Sequence, residues 1–170
     1  SDEMQACLQS GSTGGVVVGS GLPGDPAIPE PASGYKIGKT PVMARSYMAV
    51  TANPLATQAA CETLRDGGTA IDAAVAAQMV LGLVEPQSSG LGGGAFMLHY
   101  KASTGVVQSY DGRETAPVAA TEDYLRYVSA TDQTNPLPNL GNSFNSTKAS
   151  GRSIGVPGAV RMLGLAHQDH

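Results

Sequence analysis

Arg113 stands just past a strand pattern over residues 106–111, in the series Asp111-Gly112-Arg113-Glu114-Thr115-Ala116-Pro117. A guanidinium fixed at a strand end can grip a carboxylate through two parallel hydrogen bonds, which sets orientation as well as charge. The competing reading is an ion pair with Asp111, Glu114 or a distant acid, the ordinary lot of surface arginines. Glu114 reads as a structural residue that orients Arg113 or caps the next stretch of chain. Upstream, four glycines fall within five residues, at Gly90, Gly92, Gly93 and Gly94. Their backbone N–H groups can face an anion. No helix comes directly after them in the chain to add its dipole, so a tight strand entry beneath a neighbouring helix is the preferred reading.

Other chemistry-bearing residues offer less. Ser88 and Ser89 suit a turn better than a nucleophile's role. His99, His167 and His170 are too scattered in the sequence for a metal site, and the two cysteines add no zinc spacing. Gly38-Lys39-Thr40 ends like a phosphate loop, but Pro41 blocks the helix that such a loop must open, and nucleotide binding is rejected. Ser1 is followed by Asp2-Glu3-Met4 and reads as a processing remnant. No cofactor is implied. A disulfide between Cys7 and Cys61 would close a long loop and add about 4 kcal/mol. Spacing alone does not supply the geometry that a bridge demands, so two unpaired thiols are expected.

The elements that must position Arg113 emerge from pattern and punctuation. Residues 1–40 are rich in Gly, Ser and Pro and read as a flexible arm. Residues 42–51 carry a strand pattern. Asn53 is a good N-cap with Pro54 at the first helical position, and Gly67 suits the left-handed end of that helix. Thr69 with Asp72 forms a capping box for a second helix over residues 70–83. That helix has almost no polar face, which predicts cover on more than one side, and Pro86 ends it. Residues 94–100 and 106–111 form a hairpin across residues 102–105. The apolar run from Gly93 to Leu98 predicts a first strand covered on both faces. A short helix over 119–128 capped at Thr121, a long loop over 131–151, a strand over 153–156 and a helix over 157–167 complete an α+β pattern.

Bulk properties exclude more than they assign. The net charge is −4, with no basic stripe to neutralise phosphates, which argues against nucleic acid. No apolar run reaches the length of a membrane span. Aromatics are only 5% and Trp is absent, so a core built on Ala and Gly relies on close backbone approach.

Several stretches together resemble the N-terminal half of the large subunit of gamma-glutamyltranspeptidases. They are Asn53-Pro54-Leu55-Ala56, residues 67–77, Val84-Glu85-Pro86, residues 88–97, Asp111 to Pro117, and residues 153–166 with Gly155-Val156-Pro157-Gly158. The likeness runs from about residue 41 to 167, and residues 1–40 take no part. It implies an incomplete portion, residues 41–170, of the four-layer αββα sandwich of N-terminal-nucleophile hydrolases. The implied enzyme cleaves the γ-glutamyl amide of glutathione and related donors through a γ-glutamyl-threonine intermediate. It passes the acyl group to water or an amino acid. Arg113 would hold the donor α-carboxylate. The precursor would cut itself, and the nucleophile would be the N-terminal Thr of a small subunit, in a Thr-Thr-His-type motif that this sequence lacks.

The chain ends inside a predicted helix, so the expectation is a large-subunit portion partnered by that small subunit and the rest of the large one. The resemblance implies a periplasmic or secreted location, although no signal peptide is visible. The alternatives are a cephalosporin (glutaryl) acylase-like relative and a non-catalytic module that binds a small carboxylate.

Overall fold

The computed structural model describes Cys7, residues 43–126 and residues 151–170. The chain divides into two compact units, Ser1–Ser88 and Ser89–His170. The expected arm over residues 1–40 and the expected loop over 131–150 lie outside the described residues, Cys7 apart.

The first unit is a helical hairpin. Helix α1 spans Pro54–Arg65 and starts where Asn53 accepts the Leu55 N–H at 3.0 Å through Oδ1. Gly67 lies just past its end with φ +93°, a conformation costly for any residue with a Cβ. There the Gly68 N–H returns to the Thr63 carbonyl at 2.9 Å. Helix α2, Ala70–Val84, opens on the reciprocal bonds of the Thr69–Asp72 capping box. Ala60 of α1 meets Ala73 and Ala77 of α2, with Ala49 and Leu64 packed against the seam. Asn53 is buried, and its Nδ2 donates to Glu85 Oε1 at 3.4 Å, which ties the start of α1 to the end of α2. The single-turn helix α3, Pro86–Ser89, comes next, so Pro86 begins an element as well as ending one.

Two expectations fail in this unit and one holds in part. Residues 43–52 form no strand. Thr51 instead turns its polar groups to the helix start, with its N–H donating to Thr57 Oγ1 at 3.1 Å and its hydroxyl to the Asn53 carbonyl at 2.6 Å. Cover of α2 holds in part: Ile71 is buried on the side away from Ala73 and Ala77, whereas Leu83 near the helix end is 82% exposed. Cys7 and Cys61 are not unpaired thiols. They form a disulfide with Cα atoms 5.5 Å apart. The fold supplies the proximity that a separation of 54 residues conceals.

The second unit is an antiparallel hairpin against a helix. Strand β1, Ala95–Lys101, pairs with β2, Val106–Gly112, in a register that sets Met97 opposite Tyr110 and Ala95 opposite Gly112. Helix α4, Ala159–Asp169, buries Ala159, Met162, Leu163 and Ala166. Tyr110 is buried, and its hydroxyl donates to Asp169 Oδ2 at 3.0 Å on that helix. Burial first, and then Asp169, push the Tyr110 pKa above its ordinary value. Only one face of β1 is packed, because Phe96 and Leu98 alternate outward at 69% and 76% exposure. The two-sided cover read from the apolar run is therefore absent among the described residues.

Two further elements differ from expectation. Residues 121–126 form turns, not a helix: the Tyr124 N–H reaches the Thr121 carbonyl and the Arg126 N–H that of Asp123, each over three residues. Residues 153–156 do not pair as a strand. A 3-10 turn, Gly151–Ser153, leads into one antiparallel bridge between Thr115 and Val156.

Candidate functional site

The end of β2 carries the residues that the sequence singles out. The Arg113 N–H donates to Asp111 Oδ1 at 2.9 Å, so the chain turns immediately after the strand. Two residues on, the Thr115–Val156 bridge pins the far side of the turn, with the Val156 N–H 2.8 Å from the Thr115 carbonyl. Between these two anchors sit Arg113 and Glu114.

Glu114 is seated by glycine. A Cβ on Gly94 would meet the Glu114 backbone nitrogen and the Gly112 carbonyl oxygen, each at 2.7 Å, and one on Gly155 would meet Glu114 Cβ at 2.7 Å. Those neighbours are mostly backbone and cannot swing aside. The Gly94→Ala variant is therefore expected to destabilise the protein by about 1–3 kcal/mol, as overpacking does. A lowered urea midpoint would register this; an unmoved midpoint would mean that the turn is loose.

The Glu114 carboxylate is held below its ordinary pKa. Its own backbone N–H contributes most, then the hydrogen bond and charge of Arg113 and the Gly94 N–H, while partial burial opposes them. The folded state thus takes up this proton less readily than the unfolded chain. The stabilisation is complete above the unfolded value near 4.5 and is lost as pH falls through the depressed folded value. Melting temperatures of wild type and Glu114→Gln should differ most above pH 4.5 and converge in stronger acid. A gap that does not change with pH would show that the charge has no role.

Arg113 pairs through Nη1 with Glu114 Oε2. The pair is uneven, since the arginine side chain is 66% exposed and the glutamate only 27%. Glu114 is the fixed member and the guanidinium projects from it. The geometry has the form in which Glu114 orients Arg113. It equally contains the ion pair that stands as the competing reading of the same residues.

Arg113 also borders a cleft of about 300 Å³, with Glu114, Tyr124, Arg152 and Ile154 among its walls. Arg152 is a functional candidate that sequence reasoning passes over. Its only signal is a cation just upstream of the Gly155-Val156-Pro157-Gly158 stretch.

The glycine turn serves packing. The Gly93 carbonyl accepts the N–H groups of Gly158 at 3.2 Å and Ala159 at 3.1 Å. A helix N-terminus does reach the turn, brought from distant sequence, and its first donors are spent on Gly93 and do not face an anion. His99 and His170, far apart in the chain, come together with ring centroids 3.8 Å apart, and His170 Nε2 lies 3.1 Å from the Tyr110 hydroxyl. His167 is exposed on α4, and among the described residues no three His, Cys, Asp or Glu side chains are grouped to hold a metal. Ser88 and Ser89 fall in α3. Ser1 and Lys39 lie outside the described residues.

Comparison with known proteins converges on one family. Residues 56–170 match the family model described as Gamma-glutamyltranspeptidase. The chain is 34% identical over 148 residues to the glutathione hydrolase proenzyme of Bacillus subtilis, covering 87% of this chain and 24% of that protein. It is 39% identical over 126 residues to the glutathione hydrolase proenzyme of Escherichia coli, covering 74% of this chain and 20% of that one. The chain thus spans a quarter or less of these relatives. The Bacillus likeness covers 148 residues, more than residues 41–170 can supply, so it extends into the first forty, contrary to the expectation that they take no part. Among solved structures, the Helicobacter pylori gamma-glutamyltranspeptidase superposes with a TM-score of 0.64 at 30% identity, over 76% of this chain and 34% of that one. The Pseudomonas nitroreducens gamma-glutamyltranspeptidase complexed with L-DON does so with 0.61 at 31% identity, over 75% and 35%.

Proposed function

Because the chain belongs to the gamma-glutamyltranspeptidase family, we propose that it is the N-terminal portion of the large subunit of an enzyme that cleaves γ-glutamyl amides, glutathione among them. The observation that carries the reading is Arg113, a projecting guanidinium braced by Glu114 at the edge of a small cleft. Its fork grips the α-carboxylate of the donor and so fixes the γ-carbonyl for attack.

The nucleophile comes from another chain: the N-terminal Thr of a small subunit released by self-cleavage of a precursor. Its hydroxyl attacks the γ-carbonyl carbon while its own amine takes the proton. The carbon–nitrogen bond breaks, the departing amine is protonated, and a γ-glutamyl ester remains on the Thr. Water or the amino group of an acceptor amino acid then attacks the ester and restores the hydroxyl.

On this reading residues 41–170 form part of a four-layer αββα sandwich that the rest of the large subunit and the small subunit complete. Residues 1–40 act as an arm that precedes it. That the chain covers a quarter or less of these relatives supports a sandwich completed by further sequence. The Cys7–Cys61 bridge favours a periplasmic or secreted location, where disulfides persist. Among the described residues no helix is long and apolar enough to cross a membrane.

The test is an assay of the full-length processed protein on a γ-glutamyl anilide and on a glutaryl β-lactam. Turnover of the first alone is expected. Turnover of the second alone would transfer the protein to the acylase-like members of the superfamily. Turnover of neither, with glutamate binding measured by calorimetry, would leave a carboxylate-binding module.

A further inference from the structure

The C-terminal end of α4 rests on the hairpin through a cluster of titratable side chains. The half-buried rings of His99 on β1 and His170 at the helix end have centroids 3.8 Å apart and planes tilted by 36°. Tyr110 of β2 has one hydroxyl proton, which it gives to Asp169 Oδ2 at 3.0 Å. Its oxygen therefore accepts from His170 Nε2–H at 3.1 Å. Burial and Asp169 push the Tyr110 pKa up, so the phenol keeps its proton in neutral and acid solution. His99 Nδ1 is buried and meets no hydrogen-bond partner among the described residues. The groups that face the rings are thus Tyr110 from β2 and Asp169 from α4. Lys101, on the same face of β1, and His167 on α4 are exposed.

Charge decides what such a cluster does, because histidine gains its proton between about pH 8 and pH 5. One positive charge on the pair of rings is met by the Asp169 carboxylate beside Tyr110 and by the C-terminal end of the helix. A second is not. Two imidazolium rings would then stand against each other at 3.8 Å. A neutral His99 can keep its proton on Nε2, whereas the cation carries one on each nitrogen, and Nδ1–H would be a buried donor without an acceptor.

We propose that this cluster is an acid-operated latch: with His99 neutral the end of α4 docks on the hairpin, and protonation of both rings frees it. Docking is complete at neutral pH and weakens as pH falls through the histidine range. The start of α4 stays bonded to the Gly93 carbonyl, so the helix loosens from its far end. The latch does not depend on the γ-glutamyl reading.

Hydrogen exchange of the full-length protein at about pH 7.5 and about pH 5, read by mass spectrometry as protection factors, measures the docking. Wild-type protection in α4 is expected to fall at least about fivefold at the lower pH, the aqueous limit for two unit charges at that spacing. Helix α1 is the internal reference and should keep its protection. His99→Phe leaves a ring against His170 that cannot gain the second charge, so its protection should be the same at both pH values. His99→Gln should behave alike and decides the matter if the phenylalanine variant does not fold. Equal wild-type protection at both pH values, an equal loss in α1, or a loss in α4 that the folded His99 variants retain overturns the latch and leaves the γ-glutamyl reading untouched.

Discussion

Arg113→Ala is expected to raise the KM for γ-glutamyl donors about 100-fold while precursor cleavage proceeds. The first part rests on the geometry of the side chain. Its guanidinium is mostly exposed, with Nη1 occupied by Glu114 and further donors facing outward. Each hydrogen bond to a charged group is worth about 1.5–3 kcal/mol, and loss of the fork removes two of them with partial compensation by water. Arg113→Lys should recover only a fraction, because an ammonium supplies the charge without the fork. The second part rests on Glu114, which keeps the Gly94 N–H when Arg113 is gone, so the turn survives. Steady-state kinetics and a denaturing gel for subunit release give both readouts. An unchanged KM would remove Arg113 from the site, and a precursor that no longer cleaves would show that its role is in folding.

Loss of the Cys7–Cys61 bridge is expected to lower stability by about 4 kcal/mol, from the chain entropy that a closure spanning 54 residues removes from the unfolded state. That is a large share of the 5–15 kcal/mol by which ordinary domains are stable. The bridge joins helix α1 to sequence beyond the family match, which begins at residue 56. Urea unfolding of wild type with and without reductant, and of Cys61→Ser, should give matching losses. Thiol labelling of the denatured, unreduced protein should find no free cysteine. Two labelled thiols, or a midpoint indifferent to reductant, would contradict the bridge.

Local rules make most of the scaffold legible. Asn53-Pro54, the Thr69–Asp72 box and Gly67 mark helix ends through bonds that close within a few residues, and each lies where its chemistry predicts. The hairpin likewise follows from an apolar run and a Gly-containing turn after it. Elements that depend on distant partners are the ones that pattern misreads. Residues 42–51 have strand composition, but a strand needs a neighbour, and Thr51 bonds the helix start instead. Residues 153–156 gain one bridge where a strand needs a ladder. The disulfide and the meeting of His99 with His170 are likewise long-range events that spacing does not encode.

At the candidate site, Arg113 stands out because it follows directly on a strand end, in the acidic-Gly-Arg tripeptide Asp111-Gly112-Arg113. Arg152 does not, because it sits in a polar stretch where cations are ordinary, and only folding brings it beside Arg113.

The alanine seam between α1 and α2 has a mechanical corollary. Methyl groups have no rotamers to freeze, so this contact forms without the ordering penalty that longer side chains carry. They also cannot repack, so the spacing of the two rods is set by backbone thickness alone, and the pair acts as a stiff strut.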